Sequence, residues 1–178
     1  MSRIGQKPVD IPAGVTAAVE GRTIAVKGKQ GDLTFTIPQS IEVAVADGKI
    51  HVKSLADTRQ SRSFHGLTRS LIANMIEGVA KGYSRELEIQ GVGFKAVLKG
   101  QSLMLSLGFA SPVEYRIPEG VKITEEGGVK LVIKGPNKQL VGDAAARIRS
   151  YFPAEPYKGK GIRYKDERVR RKVGKTVA

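Results

Sequence analysis

Apolar and polar residues alternate at a spacing of two through much of the first third of the chain. Residues 23–27 and 33–37 alternate on either side of a glycine-bounded turn, which predicts a β-hairpin. Residues 41–45 and 50–53 alternate in the same way around an Asp-Gly turn, a dipeptide suited to the positive φ angles of tight turns. The sequence therefore opens with two predicted hairpins in succession.

The spacing becomes helical after Asp57-Thr58. Apolar positions three and four residues apart predict one helix, built around Phe64, Leu67, Leu71, Ile72, Met75 and Ile76. Gly78 follows the last of these positions and is predicted to end the helix as its C-cap. One helix is thus expected to cover one face of the first sheet.

A second series of strands and one helix follows. Residues 87–98 and 103–107 alternate across a Lys-Gly-Gln-Ser turn, and residues 113–133 contain three further short alternating runs. The pattern from Asn137 through Ser150 is helical, and prolines follow it. The order of predicted elements is the same as in the first half of the chain.

The two halves also resemble each other residue by residue. Residues 35–43 return as residues 115–123 at a constant offset of 80, with an Ile-Pro pair at the same place in each. The sequence therefore predicts an α+β fold of two tandem duplicated domains, each an antiparallel sheet with one helix packed on one face. We place the first repeat at residues 1–82, the second at 83–156 and a basic C-terminal tail at 157–178.

Positive charge is abundant and unevenly distributed. The 178 residues contain 30 Lys+Arg against 17 Asp+Glu, a net charge of +13, and 40% of the residues are hydrophobic. Residues 157–178 alone carry nine cations against two acids, a net charge of +7. The hydrophobic content is enough to build a core, whereas the concentrated charge favours an anionic partner.

Catalytic and metal chemistry have little support in the composition. There is no cysteine, which excludes thiol catalysis, disulfides and cysteine-ligated metals. His51 lies between Ile50 and Val52 in a predicted strand and is expected on the opposite face from them. His65 is expected on the solvated helix surface or facing RNA. We therefore expect no enzyme, no metal and no cofactor.

Two glycine motifs resemble nucleotide-binding loops without their structural context. Residues 91–96 fit G-x-G-x-x-G/A, but the chain continues into a predicted strand rather than a helix, so a bulge or bend is expected. Residues 174–176 read like the end of a P-loop, but the required earlier glycine falls on Val169. Neither motif predicts a nucleotide site.

The ends and the apolar runs of the chain give no targeting or membrane signal. No apolar run approaches the roughly 18 residues that a membrane span needs. The first residues carry charges and Pro8 where a secretory signal would have its apolar stretch. A cytoplasmic location is expected.

The start of the tail combines cations with glycine and tyrosine. Glycine lets the backbone approach a phosphate track closely, and tyrosine can stack or donate hydrogen bonds. A solvated charge run kept for solubility is the alternative, but it requires neither residue type at these spacings. The predicted RNA-binding residues are Tyr157, Lys158, Gly159, Lys160, Gly161, Arg163, Tyr164, Lys165, Arg168, Arg170, Arg171 and Lys172.

The ordered stretch from Glu155 through Tyr164, Glu-Pro-Tyr-Lys-Gly-Lys-Gly-Ile-Arg-Tyr, resembles the signature of a known family. Together with the opening Ser2-Arg3-Ile4-Gly5 and the two α+β halves, it is similar to the L-six family of bacterial large-subunit ribosomal proteins. This long ordered match is far more specific than either glycine motif.

The resemblance implies a structural, ribosome-associated protein that binds large-subunit (23S) rRNA. It implies a position near the stalk base and the docking region of translation GTPases, beside neighbouring ribosomal proteins. It implies that the second domain and the tail make much of the rRNA contact, with no membrane and no small-molecule substrate. The alternative is a basic module that binds free RNA or an anionic surface outside the ribosome.

Overall fold

The computed structural model describes residues 2–175, and it confirms an α+β protein built from antiparallel sheets and two helices. The chain forms two compact units. The first contains the residues up to Tyr83 together with Pro136–Lys138, and the second contains Ser84–Gly135 and the residues from Gln139 onward. Met1 and residues 176–178, which fall in the predicted first repeat and tail, lie outside the described residues.

The first unit contains two three-stranded antiparallel sheets and one long helix. One sheet has the order β2-β3-β4 and the other β1-β6-β5. Both predicted hairpins are present, as β3–β4 and β5–β6. The strands are β1 (Val9–Asp10), β2 (Thr16–Glu20), β3 (Thr23–Gly28), β4 (Gly31–Thr36), β5 (Ile41–Ala46) and β6 (Lys49–Ser54).

Helix α1 (Arg59–Lys81) packs its buried face against these sheets. Its N-cap is Thr58, whose hydroxyl oxygen accepts a hydrogen bond from the Ser61 amide at 3.1 Å, a contact worth about 1 kcal/mol. The core of the unit joins the two sheets to the helix through fully buried aliphatic side chains. They include Ile24, Val26, Ile50, Ile72 and Val79.

The predicted C-cap at Gly78 is wrong, because α1 continues for one more turn and ends at Gly82. Gly78 is instead buried inside the helix, where the chain passes very close to it. A Cβ atom at this position would lie 1.9 Å from the Pro136 carbonyl oxygen. The glycine therefore permits a close backbone approach rather than a change of direction.

The expectation that His65 lies on a solvated or RNA-facing surface is also wrong. His65 is only 2% exposed, and its Nε2 lies 2.9 Å from the Val52 carbonyl oxygen. The buried stripe of α1 runs through polar residues in its first half, whereas Leu67 is half exposed. His51 is exposed while Ile50 and Val52 are buried, as predicted.

The second unit contains a three-stranded sheet of order β10-β9-β8 and a four-stranded sheet of order β11-β12-β7-β13. Helix α2 (Lys138–Tyr151) agrees with the predicted helix to within one residue at each end. The strands are β7 (Tyr83–Gln90), β8 (Lys95–Lys99), β9 (Ser102–Ser106), β10 (Val113–Arg116), β11 (Lys122–Glu126), β12 (Lys130–Gly135) and β13 (Gly161–Tyr164).

The core of the second unit draws on both of its sheets and on α2. The glycine motif at residues 91–96 connects β7 to β8 through a turn closed by the Phe94 amide and the Gly91 carbonyl at 3.2 Å. A strand, not a helix, follows it, as predicted. Fully buried side chains are Leu87, Leu103, Leu105, Leu131, Ile133, Ile148 and Ile162.

The strands of the two units follow the same order within their sheets, except that β13 adds a fourth strand to one sheet of the second unit. The sheet β2-β3-β4 corresponds in chain order to β8-β9-β10, and β1-β6-β5 corresponds to β7-β12-β11. Strand β13 extends the last of these sheets by pairing antiparallel with β7. Neither helix that the structure describes is long and apolar enough to cross a membrane.

Candidate nucleic-acid interface

The twelve predicted RNA-binding residues fall in three consecutive structures of the second unit. The first is a loop over residues 155–160, the second is β13, and the third is an extended segment over residues 165–175. From residue 157 onward, all three were predicted to belong to a tail separate from the second repeat. The structure places β13 within the sheet of the second unit instead.

Strand β13 is held by one buried side chain and one glycine. Ile162 is fully buried, and its amide donates to the Phe152 carbonyl oxygen at 2.8 Å. Burial of one such side chain contributes about 1.5–3 kcal/mol. Gly161 has φ +134°, and a Cβ there would lie 2.8 Å from Ala154 Cα and from the Phe152 carbonyl oxygen. Because Gly161 has no side chain, the backbone of Phe152 and Ala154 can pack closely against β13.

Two of the predicted RNA-binding cations are paired with carboxylates of β7. Arg163 donates to Glu88 Oε2 from Nη2 at 2.7 Å and from Nε at 3.2 Å. Lys165 Nζ lies 2.7 Å from Glu86 Oε2. The hydrogen bond and charge of Lys165 hold the pKa of the exposed Glu86 below its usual value. These pairs fix the register of β13 against β7.

Glu167 joins the end of β13 to α2. Its carboxylate accepts from Arg149 Nε at 2.8 Å, from Arg149 Nη2 and from the Tyr164 amide at 3.1 Å. The Arg149 guanidinium also lies over the Tyr164 ring, 5.7 Å from its centroid. The hydrogen bond from Arg149 lowers the pKa of Glu167, and burial opposes this effect. The backbone amide and the ring of Tyr164 therefore both make contacts within the protein.

We expect the second unit to lose stability as the pH falls below about 4.5, the ordinary pKa of a glutamate. The pKa of Glu167 is lower in the folded chain than in the unfolded one. Its contribution is therefore present above the unfolded pKa and is lost as the pH falls through the folded pKa. Urea unfolding between pH 7 and pH 3 measures this. In Glu167→Gln the loss should be smaller, and an unchanged pH profile would contradict the assignment.

The loop over residues 155–160 and the segment that follows β13 are tied together. The Glu155 amide donates to the Lys160 carbonyl oxygen at 2.9 Å and closes the loop. The Lys172 amide donates to the Pro156 carbonyl oxygen at 2.8 Å. Gly159 is buried at φ +74°, with Arg171 Nη2 3.4 Å from where its Cβ would lie. The loop presents Tyr157, which is 55% exposed, and Lys158.

Six of the predicted cations have no carboxylate within 4 Å among residues 2–175. We call this set the unpaired cations. Three of them, Arg168, Arg170 and Arg171, line a cavity of about 480 Å³ together with Val169. The set consists of Lys158, Lys160, Arg168, Arg170, Arg171 and Lys172.

This arrangement can hold phosphate groups. Guanidinium groups match phosphate oxygens in a planar, two-pronged geometry, so an arginine-lined cavity favours a phosphate ligand. No cluster of metal-ligating side chains occurs among the residues that the structure describes. The segment is therefore suited to electrostatic binding of a polyanion.

Two of the three arginines in the first half of α1, Arg62 and Arg69, are engaged in local contacts. Arg62 forms an exposed pair with Asp57 at 2.8 Å, which lowers the pKa of that carboxyl group. Arg69 donates to the Lys7 and Pro8 carbonyl oxygens at 3.1 and 3.3 Å. Arg59 remains exposed at the start of the helix.

Sequence reasoning missed the residues that organise the interface. Glu86, Glu88 and Glu167 hold the cations in place, yet nothing in their local sequence distinguishes them from other acids. Arg163 and Glu88 are 75 positions apart, and only the pairing of β13 with β7 brings them together. Phe109 was also missed: it continues the period-two spacing of Leu103 and Leu105, yet it is half exposed where they are buried.

Comparison with known proteins gives a consistent result along the chain. The family model described as "Ribosomal protein L6" matches residues 11–82 and 90–165. The chain is 50% identical over 176 residues to "Large ribosomal subunit protein uL6" of Maridesulfovibrio salexigens, covering 99% of each chain. It is 50% identical to the proteins of the same description from Methylobacterium sp. (98% of this chain, 99% of the relative) and Syntrophus aciditrophicus (99% of each).

Proposed function

Because the chain belongs to the ribosomal protein L6 family, we propose that it is a structural constituent of the large ribosomal subunit that binds rRNA through phosphate contacts. The family consists of structural ribosomal proteins and not of enzymes, in agreement with the expectation from the sequence. Its place among large-subunit proteins implies association with rRNA and other ribosomal proteins.

The observation that carries the rRNA proposal is the set of unpaired cations. We call residues 155–175 the basic segment, and Arg149, Arg163 and Lys165 anchor it by pairing with acids of the same unit. Five of the six unpaired cations are exposed, and Lys160 is half-buried. Each cation that meets a phosphate releases a counterion condensed on the RNA, and this release favours binding without base recognition.

The proposed position within the large subunit is the one that the family resemblance implies. The protein binds 23S rRNA near the stalk base and the region where translation GTPases dock, beside neighbouring ribosomal proteins. Family membership supports this location. The basic segment of the second unit supplies the rRNA contacts there, and the first unit contributes fewer of them.

We also propose that the two units arose by duplication. The repeated segments at an offset of 80, the matching order of strands and the two-part match to the family model support this origin. Strand β13 and the rest of the basic segment are then additions to the second copy. They give that copy most of the rRNA contacts.

A salt titration of the full chain with purified large-subunit rRNA tests the proposal. Six phosphate contacts predict a slope of about −4 to −5 when the logarithm of the binding constant is plotted against the logarithm of the salt concentration. The phosphate contacts of the unpaired cations would account for most of that slope. A slope near zero would refute phosphate binding by this segment.

A further inference from the structure

An exposed aromatic surface lies in the second unit, and phosphate binding does not use it. Phe109 is 51% exposed, and Val92, at the tip of the turn before β8, is 93% exposed. Phe109 follows β9 in the loop that leads to β10. A single exposed apolar side chain is common on protein surfaces, so the case for a ligand rests on what surrounds Phe109.

Three phenylalanine rings form a row that ends at Phe109. The rings of Phe94 and Phe152 have centroids 5.2 Å apart and meet edge to face at 79°. The rings of Phe152 and Phe109 have centroids 5.8 Å apart with their planes tilted by 58°. Phe109 therefore rests on an aromatic base, and part of its surface stays open.

Two glycines hold the base of this row in place. A Cβ at Gly91 would lie 2.7 Å from Phe94 Cδ2, and a Cβ at Gly108 would lie 3.2 Å from Phe94 Cε1. Both glycines have positive φ, at +152° and +78°. The backbone on either side thus packs directly against the ring of Phe94. A platform fixed in this way loses little conformational entropy when a flat ligand stacks on it.

The row lies beside basic parts of the second unit. Lys95 directly follows Phe94, at one end of the row, and pairs across the sheet with Ser106, before the Phe109 loop. The middle ring belongs to Phe152, whose carbonyl oxygen accepts the amide of Ile162 in β13, the strand that continues the basic loop. Lysine is depleted in the cores of protein–protein interfaces, whereas aromatic rings beside cations are typical of single-stranded nucleic-acid sites.

We propose that Phe109 stacks against an unpaired nucleobase of the RNA whose phosphates the unpaired cations hold. This inference rests on the proposed function and adds a base-contacting subsite to it. Every base has a flat aromatic face, so the stacking tolerates any base identity. The subsite therefore selects for an unstacked nucleotide beside a phosphate track rather than for a sequence.

The first test measures binding of the full chain to two probes, an octameric single-stranded oligoadenylate and a blunt RNA duplex of equal charge. Phe109→Ala should weaken binding to the single strand by about 5- to 150-fold, the factor for one stacked base. Binding to the duplex should change less than twofold, because its bases are already stacked. Leu67→Ala, an exposed apolar residue of the first unit, is the matched control and should change neither.

The second test uses fluorescence, since the chain contains no tryptophan. Phe109→Trp places a single indole on the platform, and its emission should fall when the single strand binds but not when the duplex binds. Phe109→Leu keeps apolar area without an aromatic face and should behave like Phe109→Ala.

Any one of three outcomes would overturn the inference, as would wild-type affinity of Phe109→Ala for both probes. The three are equal loss on both probes with Phe109→Ala, wild-type affinity with Phe109→Leu, and unchanged emission from Phe109→Trp in the bound complex. If the wild-type chain binds neither probe nor large-subunit rRNA, the proposed function fails as well. If it binds rRNA and both probes, and Phe109→Ala binds both probes as the wild type does, only the stacking subsite fails.

Discussion

Replacing Arg168, Arg170 and Arg171 together with glutamine should weaken binding to large-subunit rRNA by about two to three orders of magnitude at about 0.1 M salt. These side chains line one cavity and have no acidic partner within the described residues. Each phosphate contact adds about 0.9 to the magnitude of the salt slope, so it raises the binding constant nearly tenfold when the salt falls from 1 M to 0.1 M. Filter binding across a salt series gives both the affinity and the slope, which should fall by about 2 to 3.

A charge-matched variant separates specific contacts from a change in net charge. Lys27, Lys29 and Arg59 are exposed cations of the first unit, and their triple replacement with glutamine removes the same charge. That variant should retain most of the affinity, and its slope should change by less than 1. Equal losses from both triple variants would show that total charge, rather than the cavity, governs binding.

Gly161→Ala should destabilise the second unit by about 2–5 kcal/mol, by overpacking and by strain at positive φ. The new methyl group would lie 2.8 Å from the Ala154 amide nitrogen, Ala154 Cα and the Phe152 carbonyl oxygen. All three are backbone atoms, which cannot rotate away as a side chain would. Urea unfolding of the full chain measures the loss of stability. RNA affinity should fall as well, because the unpaired cations lie in the chain directly before and after β13.

Gly142→Ala is the matched control for this substitution. Gly142 lies inside α2, and a Cβ there would meet nothing within 4 Å. Alanine should therefore stabilise the helix by about 0.5–1 kcal/mol. If Gly161→Ala were as stable as the wild type, β13 would not be seated in the sheet as described.

Most regular elements were predictable from spacing because each buries one face, but the short strands β1, β2 and β13 were not predicted. Period-two alternation found the hairpins, and three-and-four spacing found both helices. The buried face of α1 was misjudged because Ser61, His65 and Thr68 occupy its first half. A polar residue can be recognised as buried only when its hydrogen-bond partner is known. The partner of His65 is the Val52 carbonyl in β6, which the spacing within α1 does not reveal.

The interface was predictable in composition but not in detail. The cations and tyrosines of the basic segment stand out in the sequence, whereas their division into paired and unpaired groups depends on strand register. Strand β13 has four residues and one fully buried aliphatic side chain, Ile162, too short a pattern to reveal a strand. Once it pairs with β7, Arg163 and Lys165 face Glu88 and Glu86.

The anchoring pairs and the unpaired cations therefore have different expected roles. Arg149, Arg163 and Lys165 position the segment, so their loss should lower stability before it lowers the salt slope. The unpaired cations bind phosphate, so their loss should lower the slope with little effect on unfolding. The exposed Lys165–Glu86 pair contributes little to stability, whereas burial of Ile162 contributes about 1.5–3 kcal/mol.

The central claim is that the chain works as part of the large ribosomal subunit, held there by its basic segment. Sedimentation of a cell lysate through gradients of rising salt, tracking the full-length chain, tests this most directly. The account predicts that the wild-type chain migrates with large subunits, and that Arg168→Gln/Arg170→Gln/Arg171→Gln is released at lower salt. A wild-type chain that stays at the top of the gradient at low salt, apart from the subunits, would contradict it.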